Sequence, residues 1–519
     1  MRRLAALLLG LVTPLALLTP ASAATAQAAE SSGAISWTPC PEDPTAECGT
    51  LAVPIDWKRP ASGTFDVAVA RRRAADPAAR IGALVLGAGG PGGSGVDLVL
   101  YGAELFSPEL LRRFDLVSLD PRGTNRSHPV VCSTDLMAQE PDPIMKSQAD
   151  FDRRLAYNER LRADCRARTG PLFDHVDSLS TVADLDAFRA ALGEERLSFY
   201  GGSYGTLLGQ QYAERHPRRV RAFTLDSTMD HSLDTQGFMD TEAWGAQDAF
   251  DEFTAWCERD SRCLQHGEDV RAFWRALLAR ADRGELPAPG QPEVKVTAFM
   301  LIDAATGYFY TPASWLPFSE LLAALDSGGA MPQGALPLMS PPADRAQEVT
   351  PNPTQILCLD FRLPVRDYRE YGRHLRRMAK IAPDMRYSPL SFVPVVSCLG
   401  QPDPIPNPQH RLKVRTDTPV LVVNSKHDPA TVYPWATSTT RQLGRSGRLL
   451  TYEGWGHIAY FRGGTCVTQA VDSYLISQTL PARGASCPAV PPADETDRLH
   501  KLRELGTRLP GTPGWAFPF

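Results

Sequence analysis

Beyond its N-terminus, no stretch of this 519-residue chain approaches the ~20 uninterrupted apolar residues that a membrane-spanning helix needs. Excess positive charge is also missing. The formal net charge is −5, so nothing favours nucleic acid or an anionic membrane surface as a partner. There is no internal repeat. No Cys-x-x-Cys and no compact Cys/His cluster occurs, which removes the usual signature of a bound zinc. Arginine greatly outnumbers lysine, a mark of a GC-rich bacterial genome rather than of function.

What is present begins with a targeting segment. Arg2 and Arg3 precede a short apolar stretch, Leu4 to Leu18, broken by Pro14. Ala21-Ser22-Ala23 follows as a small-residue cleavage site, with Ala24-Thr25-Ala26 a second candidate, so residues 1–26 read as an export signal. No cysteine lies near the cleavage site, which argues against a lipid anchor, and the mature protein is expected to be soluble and secreted. The ten cysteines agree, because an even number in an oxidising compartment suggests disulfides. Sequence does not fix their connectivity. The spacing favours chain order: Cys40–Cys48, Cys132–Cys165, Cys257–Cys263, Cys358–Cys398 and Cys466–Cys487.

The length exceeds what one simple core holds, so an elaborated domain or two domains are expected. Strand-like runs occur at Ala83–Leu86, Phe114–Leu119, Arg196–Tyr200 and Val220–Leu225, with helical spacing between them over 149–192 and 206–215. Alternating strands and helices predict an α/β fold with a mostly parallel sheet. The alternation stops after Leu225 and resumes near Pro419, with strands at Val420–Val423 and Arg448–Tyr452. The helix-like, aromatic-rich stretch between reads as a cap inserted into an α/β core. The expected division is signal 1–26, core 35–229, helical cap 230–415, core 416–487 ending in a disulfide segment, and a polar, proline-rich tail over 488–519.

Gly201-Gly202-Ser203-Tyr204-Gly205 is a Gly-x-Ser-x-Gly pattern set between a strand and a helix, the sequence form of a nucleophile elbow. The flanking glycines answer the tightness of such a turn. A serine hydroxyl is a weak nucleophile and needs a base, itself oriented by a buried acid. In α/β-hydrolases these follow in the order Ser, acid, His. Asp428 ends the 420 strand and His457 follows the 448 strand on a glycine-flanked loop, so both have the right order and placement. His427 and Asp226 are their rivals. The tetrahedral intermediate needs two N–H donors. Tyr204 N–H is one, and the glycine run after Leu86 offers Gly90 N–H as the other. Pro91 and the missing acidic partner argue against reading that run as a dinucleotide loop. Asp120 and Arg122 read as structural.

These residues together resemble the secreted tripeptidyl aminopeptidases of actinomycetes, in the prolyl-aminopeptidase-like branch of the α/β-hydrolases. The pieces that carry the resemblance are Gly89-Gly90-Pro91-Gly92-Gly93-Ser94-Gly95, Asp120-Pro121-Arg122-Gly123, Tyr200 to Thr206, Gly456-His457 and the segment from Tyr474 to Cys487, with Trp37-Thr38-Pro39-Cys40 at the opening. The resemblance implies a serine exopeptidase releasing short peptides, tripeptides in the first place, from free N-termini, with no metal or organic cofactor. Ala88 stands where prolyl aminopeptidases carry His, which tilts away from strict prolyl specificity. Thr124 to Ser127 and Ile458 also depart from the pattern, at the rim of the site. An aminopeptidase needs an anion for the substrate ammonium and a wall to limit chain entry. Asp230, Asp234, Asp240 and Glu242 are the acidic candidates, against plain solvated charges for most of them, and Tyr308, Phe309, Tyr310 and Trp315 the lining candidates, against cap core as their favoured reading. An exported carboxylesterase or a prolyl aminopeptidase with the same triad are the alternative readings, and the oligomeric state is left open.

Overall fold

A computed structural model describes residues 34–332, 347–462 and 464–492. The expected export signal lies outside these residues, as does the tail beyond Pro492. Of the tail, Val490 is tied down by its N–H to the Tyr452 hydroxyl.

Ten strands form one sheet. In chain order they are β1 (Thr38–Pro39), β2 (Glu47–Pro54), β3 (Thr64–Arg72), β4 (Gly82–Gly87), β5 (Phe114–Leu119), β6 (Leu197–Gly202), β7 (Val220–Asp226), β8 (Val420–His427), β9 (Gly447–Trp455) and β10 (Ser486–Cys487). Their spatial order is β1-β2-β3-β5-β4-β6-β7-β8-β9-β10. The first three join antiparallel, and every pair from β5 to β10 is parallel. Parallel strands are covered by helices on both faces and so read as continuous apolar runs rather than alternations. Both β4 and β6 are buried at every position. This is the α/β-hydrolase fold, with the loops after β4, β6, β7, β8 and β9 gathered at the carboxyl edge of the parallel strands.

Helices α1 (Gly95–Leu100), α2 (Ser178–Ala191) and α3 (Gly205–Arg215) belong to the part before the insertion. Between β7 and β8 lie α4 (Thr235–Arg259), α5 (Val270–Asp282), α6 (Ala298–Phe309), α7 (Trp315–Ser327), α8 (Thr354–Asp360), α9 (Tyr368–Ile381) and α10 (Pro389–Ser397). The longest, α4, begins earlier than its apolar spacing indicates because the Asp234 side chain caps it by accepting from Gly237 N–H. The inserted segment is not purely helical. Its Val349–Pro351 pairs antiparallel with Val131–Ser133 of the earlier core, and a small hairpin joins Pro287–Ala288 to Gln291–Lys295.

The ten cysteines pair in chain order, Cys40–Cys48, Cys132–Cys165, Cys257–Cys263, Cys358–Cys398 and Cys466–Cys487. Asp120 and Arg122 hold the core, and not as a pair with each other. Arg122 is fully buried against Asp184, with nitrogen–oxygen distances of 2.7 and 2.6 Å, and donates to the carbonyls of Pro54, Ile55 and His175. Asp120 accepts from the Ser94 hydroxyl and Val96 N–H, which fixes the exit of the glycine loop into α1.

Candidate active site

Ser203 directly follows β6 with φ of +54°, in the left-handed region that an ordinary residue enters only under constraint. The constraint is the crowding of backbone around it. A Cβ added at Gly205 would stand 2.3 Å from the Gly87 carbonyl oxygen, and one at Gly201 would stand 2.7 Å from the Gly205 carbonyl oxygen. Only glycine lets the turn pass this close to the end of β4. That same approach brings the glycine loop beside the elbow, since Gly87 pairs with Gly201. Among the described residues, neither Gly90 N–H nor Tyr204 N–H donates to another group.

Asp428 follows β8 immediately, and His457 lies two residues beyond β9. The two are bonded, with His457 Nδ1 3.0 Å from both carboxylate oxygens. Asp428 also accepts from Ala430 N–H, from the N–H and hydroxyl of Thr431, and from Ser227 Oγ at 2.7 Å. A carboxylate so fully engaged by donors is an acceptor, so Nδ1 carries the imidazole proton and Nε2 presents a lone pair. Nε2 is buried and, among the described residues, has no hydrogen-bond partner.

The end of β7 ties this pair to the elbow. Asp226 O accepts from Ser203 N–H at 3.0 Å, and the Asp226 carboxylate accepts from Ala459 N–H, Tyr460 N–H and the Tyr200 hydroxyl. Burial raises Asp226 to about 6, against these donors, which lower it. Next to it, Ser227 Oγ donates to Asp428 and accepts from Ile458 N–H at 2.8 Å. Asp226 is therefore wired as a structural brace rather than as the acid of the pair. The other rival, His427, bonds Asp248 Oδ2 at 2.9 Å and stacks near Trp455, away from the Asp428 carboxylate.

The inserted segment packs against the Asp428–His457 pair. Tyr310 packs its ring edge against His457 at 5.0 Å, and its carbonyl accepts from His457 N–H at 2.9 Å. Glu242, Asp428 and Asp303 all act electrostatically on the Tyr310 hydroxyl. Glu242 is buried, hydrogen-bonded to the Ser388 hydroxyl, and driven well above the usual carboxyl range, by burial first and by Asp428 in addition. Asp303 is half-buried, burial raises it to about 6, and among the described residues no donor or cation acts on it. Sequence reasoning missed Asp303, although the signal was available as a lone acid in the apolar helix α6.

The remaining expectations fare differently. Asp240, on α4, accepts from Arg377 Nε on its Oδ2 at 2.5 Å, an ion pair that already answers its charge. Asp230 bonds Ser232 and Gln442, and Asp234 is the cap of α4. Tyr308 is 1% exposed against Phe318, and Trp315 is 2% exposed among Phe253, Trp256 and Trp455. Both belong to the packed cap core, which leaves them little surface to offer a substrate. Phe309 is buried there as well. Apolar character alone does not distinguish a pocket wall from a core.

Residues 389–487 match a family model described as TAP-like protein. The chain is 32% identical over 479 residues to "Serine protease Hip1" of Mycobacterium tuberculosis, covering 87% of this chain and 91% of that protein. It is 28% identical over 498 residues to "Tripeptidyl aminopeptidase" of Streptomyces coelicolor, with coverage of 90% and 88%. It is 31% identical over 459 residues to "Carboxylesterase B" of Mycobacterium tuberculosis, with coverage of 85% and 86%.

Proposed function

This chain belongs to the tripeptidyl-aminopeptidase-like serine peptidases of the α/β-hydrolase fold, and from that premise we propose that it is a secreted exopeptidase releasing tripeptides from free N-termini. One observation carries the reading. The Asp428–His457 pair, bonded at 3.0 Å, is braced to the Ser203 elbow through Asp226 and Ser227 while His457 Nε2 is left without a partner among the described residues.

In this reading His457 Nε2 takes the Ser203 proton as Oγ attacks the scissile carbonyl. Asp428 holds the imidazole in the Nδ1–H tautomer and stabilises the imidazolium that forms. Gly90 and Tyr204 N–H receive the oxyanion. His457 then returns the proton to the leaving amine, and water attacks the acyl-enzyme by the same base. Each step uses groups of the chain itself.

Glu242 and Asp303 receive the substrate ammonium. Glu242 is buried and Asp303 half-buried, no cation pairs with either among the described residues, and an arriving ammonium stabilises their ionised forms. Because His457 is anchored to Tyr310, the wall behind this acidic end has a fixed distance from Ser203, which sets how many residues enter. The pairing of all ten cysteines supports an oxidising destination.

The test is a panel of chromogenic mono-, di- and tripeptides with free and acetylated N-termini, alongside simple acyl esters. Release from free tripeptides, abolished by Ser203→Ala, is expected. The carboxylesterase relative gives the competing outcome: ester cleavage with no release from free peptides. Peptide hydrolysis that survives Ser203→Ala sinks the serine mechanism altogether.

A further inference from the structure

The side chain of Tyr204 is nearly buried and ends on a carboxylate from the inserted segment, with its hydroxyl donating to Asp360 Oδ2 at 2.6 Å. Asp360 is the last residue of α8 and is wholly buried. The same carboxylate accepts the Ser178 N–H at 2.8 Å and the Ser178 hydroxyl at 2.5 Å, at the start of α2. It also accepts Asn407 Nδ2 at 2.7 Å, and Asn407 Oδ1 accepts from Gln211 on α3, the helix that leaves the elbow. The Asp360 carbonyl lies 2.6 Å from His231 Nε2, and the Phe361 ring packs beside Tyr204. Two residues earlier, Cys358 is bonded to Cys398 at the end of α10, so the helix carrying Asp360 is covalently tethered.

We propose that Asp360 is a positioning residue for acyl transfer: by holding the Tyr204 hydroxyl it fixes the direction of the Tyr204 N–H and so ties the inserted cap to the oxyanion site. The inference rests on the serine-peptidase reading above, in which that N–H is a donor to the oxyanion.

A tyrosine side chain has two rotatable torsions, so anchoring its far end restrains its own Cα and the peptide nitrogen attached to it. The worth of an oxyanion donor depends on where it points. Losing one costs about 10²–10³ in kcat, and misplacement by about 1 Å costs about 10². The chemistry of the anchor also points beyond packing. Burial first, and the neighbouring Asp177 next, raise Asp360 to about 7, so an acid is kept here at a cost. An amide would fill the same space more cheaply if filling were the whole task. The acid accepts from its donors on both oxygens, and Tyr204 is the one among them that adjoins Ser203.

The experiment compares Tyr204→Phe, Asp360→Asn and the double variant, using a chromogenic tripeptide and two ligands, a peptide aldehyde and the product tripeptide. The aldehyde forms a tetrahedral adduct whose oxyanion needs the Tyr204 N–H, and the product does not. Expected for each single variant is a fall in kcat of about tenfold with KM within about twofold, and aldehyde affinity falling with kcat while product affinity holds. The double variant should lose no more than the worse single one, because both cut the same link. Tyr204→Phe removes one oxygen atom and keeps the ring, so it tests the proposal even if Asp360→Asn does not fold. Wild-type kcat in folded Tyr204→Phe overturns the proposal, as does equal weakening of aldehyde and product. Either result leaves the serine-peptidase reading intact, since that reading stands or falls on Ser203→Ala.

Discussion

At the residue scale, Asp303 shows how a substrate charge can be read. Burial alone raises its carboxyl to about 6, so it is ionised at neutral pH and loses its charge as pH falls through that value. In the proposed role, KM for tripeptides with free N-termini rises below pH 6, while an acetylated substrate shows no such rise from this group. Asp303→Asn should raise KM for free tripeptides by about tenfold or more at pH 7, as losing a charge-assisted hydrogen bond does, and should flatten the pH dependence of KM. Steady-state kinetics from pH 5 to 8 on both substrates checks this. An unchanged KM profile in Asp303→Asn removes Asp303 from the amine site. Glu242 behaves differently. Its proton is held well above the usual range, so the arriving ammonium must itself draw out the charge.

At the scale of elements, the elbow shows where local pattern suffices. The Gly-x-Ser-x-Gly spacing between a strand and a helix identifies Ser203, because the backbone crowding that the turn requires is itself local. Gly205→Ala tests that crowding. The new Cβ would meet the Gly87 carbonyl oxygen at 2.3 Å and the Ala88 carbonyl oxygen at 2.8 Å, both backbone atoms that cannot swing aside. The expected cost is about 1–3 kcal/mol or more, seen as a lower Tm by calorimetry, with peptidase activity lost as β4 and the glycine loop are pushed off the elbow. A variant of wild-type Tm and activity would show that the approach of β4 to the elbow is not tight. Strand ends were legible for the same local reason. The apolar runs of β8 and β9 stop where Asp428 and His457 take over. Cap helices were legible as helices, but which of their faces meets the site was not, so Tyr308 and Trp315 stood as candidates both for lining and for the favoured cap core, where they are buried.

Across the whole molecule, the inserted segment is fastened to the core by polar links, such as those from Asp360 to Tyr204 and Ser178, and is cross-linked within itself by disulfides. Cys358–Cys398 closes a loop of sequence separation 40 within it, and α8 at one end of that loop carries Asp360 to Tyr204. In the chain-entropy picture such a loop closure stabilises by about 4 kcal/mol. Replacing both cysteines by serine should lower Tm and, with α8 loosened, reduce kcat more than KM. Thermal unfolding and tripeptide kinetics on the double variant check both parts. An undiminished kcat at a temperature where the variant is folded would separate the disulfide from the chemistry. The buried Arg122–Asp184 pair joins segments far apart in the chain, and the five disulfides, at sequence separations from 6 to 40, add cross-links within segments to the apolar burial.

The order Ser203, Asp428, His457 along the chain and the α/β alternation that stops and resumes around an insertion were determined by the sequence itself, whereas the cysteine spacing favoured the chain-order pairs without deciding them. Each rests on interactions between residues near one another, or on a topology that fixes strand ends along one edge of the sheet. The brace of Asp226 and Ser227, the half-buried Asp303 and the reach of Asp360 to Tyr204 were decided only by tertiary structure. Each joins residues far apart in the chain, and whether a carboxyl is a solvated charge, a helix cap or a buried anion depends on which groups folding sets against it.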